Sequence, residues 1–190
     1  VMKNYVPILI LTKGLSINNN NYEVLAHKMD RLLKKNGIKK TNISAAGGPC
    51  LAKELANKAH TSVVFANNDI KVAEQISKLV STNYYHVSTS NDVIGVEACA
   101  AIKNIFSMAV GASQGLCEST KSKEKNYLNT AAALIQESIY EMIIFVEKLK
   151  GKKETVIGLA GIGDLYVSAD GGRNSKMGEY LGQGMTFKAA

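Results

Sequence analysis

Short apolar runs alternate with helical spacings through the first ninety residues and give way to long helical patterns beyond them. Residues 7–11 are a compact apolar run that predicts a buried strand, closed by Thr12, Lys13 and Gly14. The asparagines at 18–21 read as a low-complexity polar loop. Val24, Met29, Leu32 and Leu33 then recur near helical spacing, and Gly37 closes the segment. Residues 43–46 predict a short strand, Gly47-Gly48-Pro49 a turn, and residues 51–59 a short helix. Two further strand candidates cover 62–66 and 84–89. Between them Val72, Ile76 and Leu79 mark a helix that Asp69 is placed to cap. This alternation predicts an α/β layer with at least partly parallel pairing.

The pattern changes near Ser90. Asn91 and Asp92 precede a long apolar helix through Val93, Val96, Ala100, Ile105 and Val110, whose alanines 98, 100, 101 and 109 suit close helix packing. After a polar break at 119–126, a second long helix holds Leu134, Ile135, Ile139, Met142, Ile143 and Val146 and stops at Gly151. Closely spaced glycines follow in 155–168, and Met177, Tyr180 and Leu181 mark a last helix. The expected organisation is α/β over 1–90 followed by all-α over 91–190, with no internal repeat.

Composition narrows the function classes. Of 190 residues, 46% are hydrophobic and only 2 are proline, which supports a real core and excludes collagen-like or proline-rich linker architectures. The formal charge of +7 suits phosphate groups, an anionic surface or simple solubility. The lysines lie at helical spacings or in short surface-like stretches, so nucleic-acid binding is not expected. Cys50, Cys99 and Cys117 form neither a paired framework nor a metal-ligand spacing, which fits a reduced, cytoplasmic setting. No unbroken stretch of 18 apolar residues exists, so no membrane span is expected, and the N-terminus lacks signal-peptide character. The chain begins abruptly, as if cut into an existing fold.

Three places carry candidate chemistry. Lys13 follows a strand end, where open parallel sheets collect ligands, and offers a point charge to a phosphate or a developing oxyanion. The alternative is a solvated turn lysine. Lys103 lies in the nearly apolar stretch 95–111, with Glu97 and Asn104 as its strong polar neighbours. There it either faces a polar cleft, where burial suits it to proton transfer, or snorkels from the helix rim. In 158–174, glycines 161 and 163 precede Asp164; Ser168 shares a helix face with Asp164; and Arg173-Asn174 follow a double glycine, a setting for a bidentate phosphate clamp. The bland reading is a glycine turn and a helix cap. Neither a Gly-x-Gly-x-x-Gly fingerprint nor a phosphate loop is present. His27, His60 and His86 are scattered, with no metal motif. Cys50 stands near a helix start, where its pKa would be lowered if it were more than a small turn residue.

Taken in order, these segments resemble the NAD(P)-dependent glycerol-3-phosphate dehydrogenase family over essentially the whole chain. The resemblance rests on Leu11-Thr12-Lys13-Gly14-Leu15, Gly48-Pro49 with Ala52-Lys53-Glu54, Asp92-Val93-Ile94-Gly95-Val96-Glu97 and Ala101-Ile102-Lys103-Asn104. It continues in Asn129-Thr130, Ala132-Ala133-Leu134-Ile135, Leu159-Ala160-Gly161-Ile162-Gly163-Asp164-Leu165 and Arg173-Asn174. It implies the rear portion of a Rossmann-type sheet and an incomplete helical, 6-phosphogluconate-dehydrogenase-like substrate domain. It implies NAD or NADP as cofactor, glycerol 3-phosphate and dihydroxyacetone phosphate as substrates, and a possible homodimer.

By the same resemblance Lys103 is the acid/base at the substrate C2 oxygen, with Lys13 and Asp164 completing the catalytic set. Asn104, Ser168 (where threonine is usual), Arg173 and Asn174 join them around the substrate, and Lys13, Glu54 and Arg173 approach the cofactor. A non-catalytic phosphometabolite-binding relative is the alternative. The departures are Ala131 at a usual lysine, Gln136-Glu137-Ser138 for a usual Thr-Arg-Gly, and the absence here of the half-domain that carries the glycine loop.

Overall fold

The computed structural model describes residues 6–119 and 127–190. Strand β1 (Ile8–Ile10) is followed by a hairpin of β2 (Leu15–Asn18) and β3 (Asn21–Val24), then by helix α1 (Leu25–Lys35). Strand β4 (Ile43–Gly47), the short helix α2 (Ala52–Ala56), β5 (Thr61–Ala66), α3 (Ile70–Val80) and β6 (Tyr85–Ser90) complete the first part. The sheet order is β1-β4-β5-β6: β1 with β4 and β5 with β6 are parallel, while β4 with β5 is antiparallel. Each parallel pair is bridged by a helix, α1 or α3, as a parallel crossover requires.

The hairpin is a finding against the expected polar loop. Asn19 and Asn20 both adopt positive φ, 49° and 62°, the conformation of a tight type I′ turn. Leu15 then pairs with Val24 and Ile17 with Tyr22. The asparagine run is the turn itself, and its flanks alternate weakly enough to hide two strands. Helix α2 is shorter than expected, since Lys58 turns to φ 58° just beyond it. Asp69 caps α3 as anticipated, its carboxylate accepting the Lys71 N–H at 3.1 Å. The polar break expected at 119–126 lies, from residue 120 on, outside the described residues.

Alternation along β5 divides the core. Val63 and Phe65 pack with Val72 and Ile76 of α3. Val64 and Ala66 face the opposite cluster, which holds Ile10, Ala26, Ala45, Val93, Val96 and Ala160. Val93 and Val96 belong to α4 (Val93–Ser119), the longest helix described, which runs about 40 Å from the sheet outward. Around it lie α5 (Leu128–Lys148), α6 (Lys153–Val156), α7 (Asp164–Gly171) and α8 (Arg173–Gly182). By length and composition the Val93–Cys117 stretch is apolar enough to cross a membrane. Here Glu97 and Lys103 interrupt the run, and its apolar residues 98, 99 and 102 pack against Met142, Val146, Val156 and Leu165.

The α4–α8 contact is set by glycine. A Cβ on Gly111 would lie 2.0 Å from the Ser175 carbonyl oxygen, and one on Gly115 would lie 1.9 Å from that of Glu179. Reciprocally, a Cβ on Gly178 would lie 2.1 Å from the Met108 carbonyl oxygen, and one on Gly182 would lie 2.1 Å from that of Ala112. Two glycine pairs, each spaced one turn apart, thus interlock backbone against backbone. Gly178→Val is expected to cost at least about 1–3 kcal/mol, read as a lower denaturation midpoint at unchanged slope.

Glu97 ties α4 to the sheet side. Its side chain is buried, and one carboxylate oxygen accepts the N–H of Ala26 in the first turn of α1 at 2.9 Å. The other oxygen is buried without a partner. Burial pushes its pKa up to about 7, against the pull of the Ala26 N–H. The folded chain therefore holds a proton that the unfolded chain has released above pH 4.5, so stability falls as pH rises from about 5 to 7. The loss amounts to about 3 kcal/mol. Glu97→Gln, which keeps the acceptor for Ala26, is expected to match the parent at pH 5 and to exceed it at pH 8 in a pH series of unfolding curves.

Candidate functional site

An ammonium group inside an apolar helix needs a partner, and the fold supplies one. Lys103, ten residues into α4, is only 7% exposed. Its Nζ donates to Oδ1 of Asp164, the first residue of α7. Oδ2 of the same carboxylate accepts from Lys13 Nζ at 3.1 Å. Side-chain exposure runs from 38% at Lys13 to 8% at Lys103 and 3% at Asp164, so the cluster opens toward Lys13 and is closed beneath. Lys103 is thus buried and paired, and the rim-lysine alternative is set aside.

The position of Asp164 comes from the glycine-rich stretch. Leu159–Gly163 forms a single π-helical turn, closed by the Gly163 N–H donating to the Gly158 carbonyl at 3.4 Å. Such turns insert an extra residue and are frequent at functional sites. Gly161 is required there, because a Cβ would lie 2.0 Å from the Val156 carbonyl oxygen. The sequence alone suggests a glycine turn before a helix cap; the folded chain makes it a π-helical turn instead.

Lys13 lies three residues past β1 rather than at its last residue, in the link to the hairpin. Burial lowers the pKa of Lys103 and the neighbouring Lys13 charge lowers it further, while Asp164 pulls it back up. A lysine so placed gives up and regains its proton more readily than a solvated one, which suits acid/base work.

The remaining candidates stand on α4, α7, α8 and α2. Asn104 follows Lys103 on α4 and is half-buried. Ser168 lies one turn past Asp164 on α7, and its carbonyl accepts the Gly172 N–H at 3.1 Å, closing the α7–α8 corner. Arg173 and Asn174 open α8, Arg173 exposed and Asn174 half-buried, at a helix start with no side-chain cap. No hydrogen bond joins these four to the lysine–aspartate cluster among the described residues. Glu54 is exposed on α2 and is not part of the cluster's hydrogen bonding.

Cys50 departs from expectation. Burial pushes its thiol pKa up, Asp164 adds to the rise and Lys13 opposes it. The nearby helix α2 has five residues, too short to reverse the trend. Those electrostatic partners also place the Gly48-Pro49-Cys50 turn beside the cluster, a role that sequence reading did not give it. The available signal was its place after the carboxyl end of β4, the parallel neighbour of β1. Ala131 is buried with Val110 and Ala169, a packing position between α5, α4 and α7. Gln136 and Glu137 are exposed and Ser138 is buried. His60 and His86 stack at the sheet margin with ring centroids 5.3 Å apart, and His27 lies apart on α1.

The chain is similar to known proteins in sequence and fold. Residues 92–190 match the family model described as NAD-dependent glycerol-3-phosphate dehydrogenase C-terminus. The NADP(+)-dependent glycerol-3-phosphate dehydrogenase of Archaeoglobus fulgidus is 33% identical over 183 residues, covering 96% of this chain and 53% of that protein. The glycerol-3-phosphate dehydrogenase [NAD(P)+] of Clostridium tetani is 32% identical over 195 residues, covering 100% and 52%. The crystal structure of glycerol-3-phosphate dehydrogenase from Coxiella burnetii superposes with a TM-score of 0.76 at 32% identity, covering 96% of this chain and 52% of that one. The enzyme from Saccharomyces cerevisiae, at 23% identity and a TM-score of 0.81, shares the fold. The chain spans about half the length of the curated relatives it matches. With the family model covering more than half of its residues, the chain belongs to the NAD-dependent glycerol-3-phosphate dehydrogenase family.

Proposed function

We propose that the protein carrying this chain interconverts glycerol 3-phosphate and dihydroxyacetone phosphate with NAD or NADP, and that Lys103 moves the proton at the substrate C2 oxygen. The observation that carries this reading is the Lys13–Asp164–Lys103 cluster. In reduction the Lys103 ammonium donates its proton to the developing alkoxide, while the Lys13 charge stabilises the same oxygen. Asp164 holds both ammonium groups and returns to Lys103 some of the proton affinity that burial removes. In oxidation Lys103 acts as the base.

A phosphorylated substrate needs a cationic clamp at its far end. Arg173 is exposed at the start of the ten-residue helix α8, where first-turn N–H groups and the helix dipole favour an anion. Asn104, Ser168 and Asn174 are the hydrogen-bonding groups assigned to the substrate hydroxyls and phosphate. In this reading part of the +7 charge faces a small phosphate ester, not nucleic acid.

The strand carboxyl ends fit a nicotinamide. The Gly48 turn and the Lys13 link leave the parallel pair β4 and β1 on the side of the cluster, and Gly48 adopts φ +101°, which keeps a side chain out of that turn. Once bound, the nicotinamide supplies or takes up the hydride. Lys13, Glu54 and Arg173 are assigned to its approach, and no pyrophosphate contact is assigned to these residues. The reading divides the chain into 1–90 on the cofactor side and 91–190 on the substrate side. It includes a homodimer and a cytoplasmic setting.

Steady-state reduction of dihydroxyacetone phosphate by the full protein is the direct test, and no turnover with either NADH or NADPH overturns the proposal. Lys103→Ala is expected to lower kcat by about 10²–10⁴-fold with NADH affinity little changed. Arg173→Ala is expected to raise KM for the phosphorylated substrate by about 10–100-fold, the loss of a charge-assisted contact. An unchanged KM removes the clamp role.

A further inference from the structure

We infer that Asp92 is a positioning residue for this reaction, its carboxylate holding the segment that leads to Asp164 against the helix that carries Lys103. The inference rests on the lysine proton-transfer reading above. Asp92 is 5% exposed, and among the described residues no hydrogen bond joins it to the cluster. Oδ1 accepts the Gly95 N–H at 2.9 Å, which caps α4. Oδ2 reaches across the chain, accepting the Lys152 N–H at 2.9 Å and the Thr155 hydroxyl at 2.6 Å. One carboxylate therefore joins the first turn of α4 to the start of α6.

The join is tight. A Cβ on Gly95 would lie 2.0 Å from Asp92 Oδ2, and one on Gly151 would lie 2.9 Å from the Gly95 nitrogen. From this joint two stiff arms run to the site. One is α4 itself, three turns from Val93 to Lys103. The other is α6, whose Val156 is fully buried, followed by the π-helical turn whose Gly161 lies against the Val156 carbonyl, and then Asp164. Cys99, on α4 between Asp92 and Lys103, senses both carboxylates: its buried thiol is pushed up to about 12 by burial first and then by Asp92 and Asp164. A shift at the joint is carried to the Lys103–Asp164 contact through the bend at 157–158, which is held by the Gly158 N–H donating to the Thr155 carbonyl at 3.3 Å and the Gly161 N–H donating to the Gly158 carbonyl at 3.2 Å.

The charged groups that face Lys103 are Asp164 from α7 and Lys13 from the link after β1. Loosening Asp164 leaves burial and Lys13 to act alone, so Lys103 loses its proton at lower pH. Reduction needs the protonated lysine, so the alkaline limb of kcat moves to lower pH.

The test uses two variants of the full protein. Asp92→Ser keeps an oxygen that caps α4 but is too short to hold the 152–155 segment. Thr155→Val removes one donor to Asp92 and leaves the cap intact. Each is expected to move the alkaline limb of kcat down by roughly half a pH unit or more, with KM for dihydroxyacetone phosphate changed less than about twofold. The same shift is expected in the Lys103 titration followed by ¹³C NMR of labelled lysine, with the resonance assigned through Lys103→Arg. If both variants fold and neither the limb nor the resonance moves, the positioning role is overturned. Should Asp92→Ser fail to fold, Thr155→Val alone decides. If the parent shows no turnover but the resonance still shifts, the functional reading fails while the mechanical coupling stands.

Discussion

Placing the ammonium of Lys103 inside an apolar helix costs several kcal/mol unless a counter-charge meets it there. Asp164 is that counter-charge, and holding it in place constrains the helical half of the chain. The carboxylate must enter from another element, at the right height along α4 and with its own second oxygen satisfied. The π-helical turn places its Cα, the packing of Val156 and Leu165 against α4 and α5 holds the turn, and Lys13 takes the remaining oxygen. Among the described residues the pair therefore opens toward the Lys13 side.

Helix α4 serves both sides of the molecule. Its first turns meet the sheet through Val93 and Val96, its middle carries Lys103 and Asn104, and its far end locks to α8 through glycines. Close backbone approach at both ends leaves little freedom to slide or rotate. The bland-looking residues of this chain, glycines 95, 111, 115, 151, 178 and 182, thus set the distances on which its charged residues depend. Glu97 spends part of that rigidity: a buried carboxylate with one unpartnered oxygen is tolerated for the sake of a cap on α1.

Much of this was legible in one dimension. Residues 93–110 and 134–146 announce helices because apolar side chains recur at the helical period, and the short β-branched runs announce strands because they are bounded by polar and glycine turns. The hairpin at 15–24 was missed because its strands are four residues each and its turn is a run of asparagines, which composition reads as a loop. The antiparallel pairing of β4 with β5 was not legible either, since pairing direction depends on where α2 returns the chain and not on periodicity.

The sequence by itself determined the element order, the change from α/β to all-α near residue 90, and which charged residues stand in otherwise apolar or glycine-rich stretches. These are local or compositional properties. Only the tertiary structure decided which of them meet. Lys13, Lys103 and Asp164 are separated by 90 and 61 residues, and nothing along the chain distinguishes a buried Lys103 from one that reaches solvent. That choice follows from the carboxylate of Asp164, brought to α4 by a helical turn whose extra residue exists only once Gly161 has closed on Val156. The same holds for Cys50, whose thiol responds to Lys13 and Asp164 because folding places them beside it, against the tendency its position near a helix start suggested.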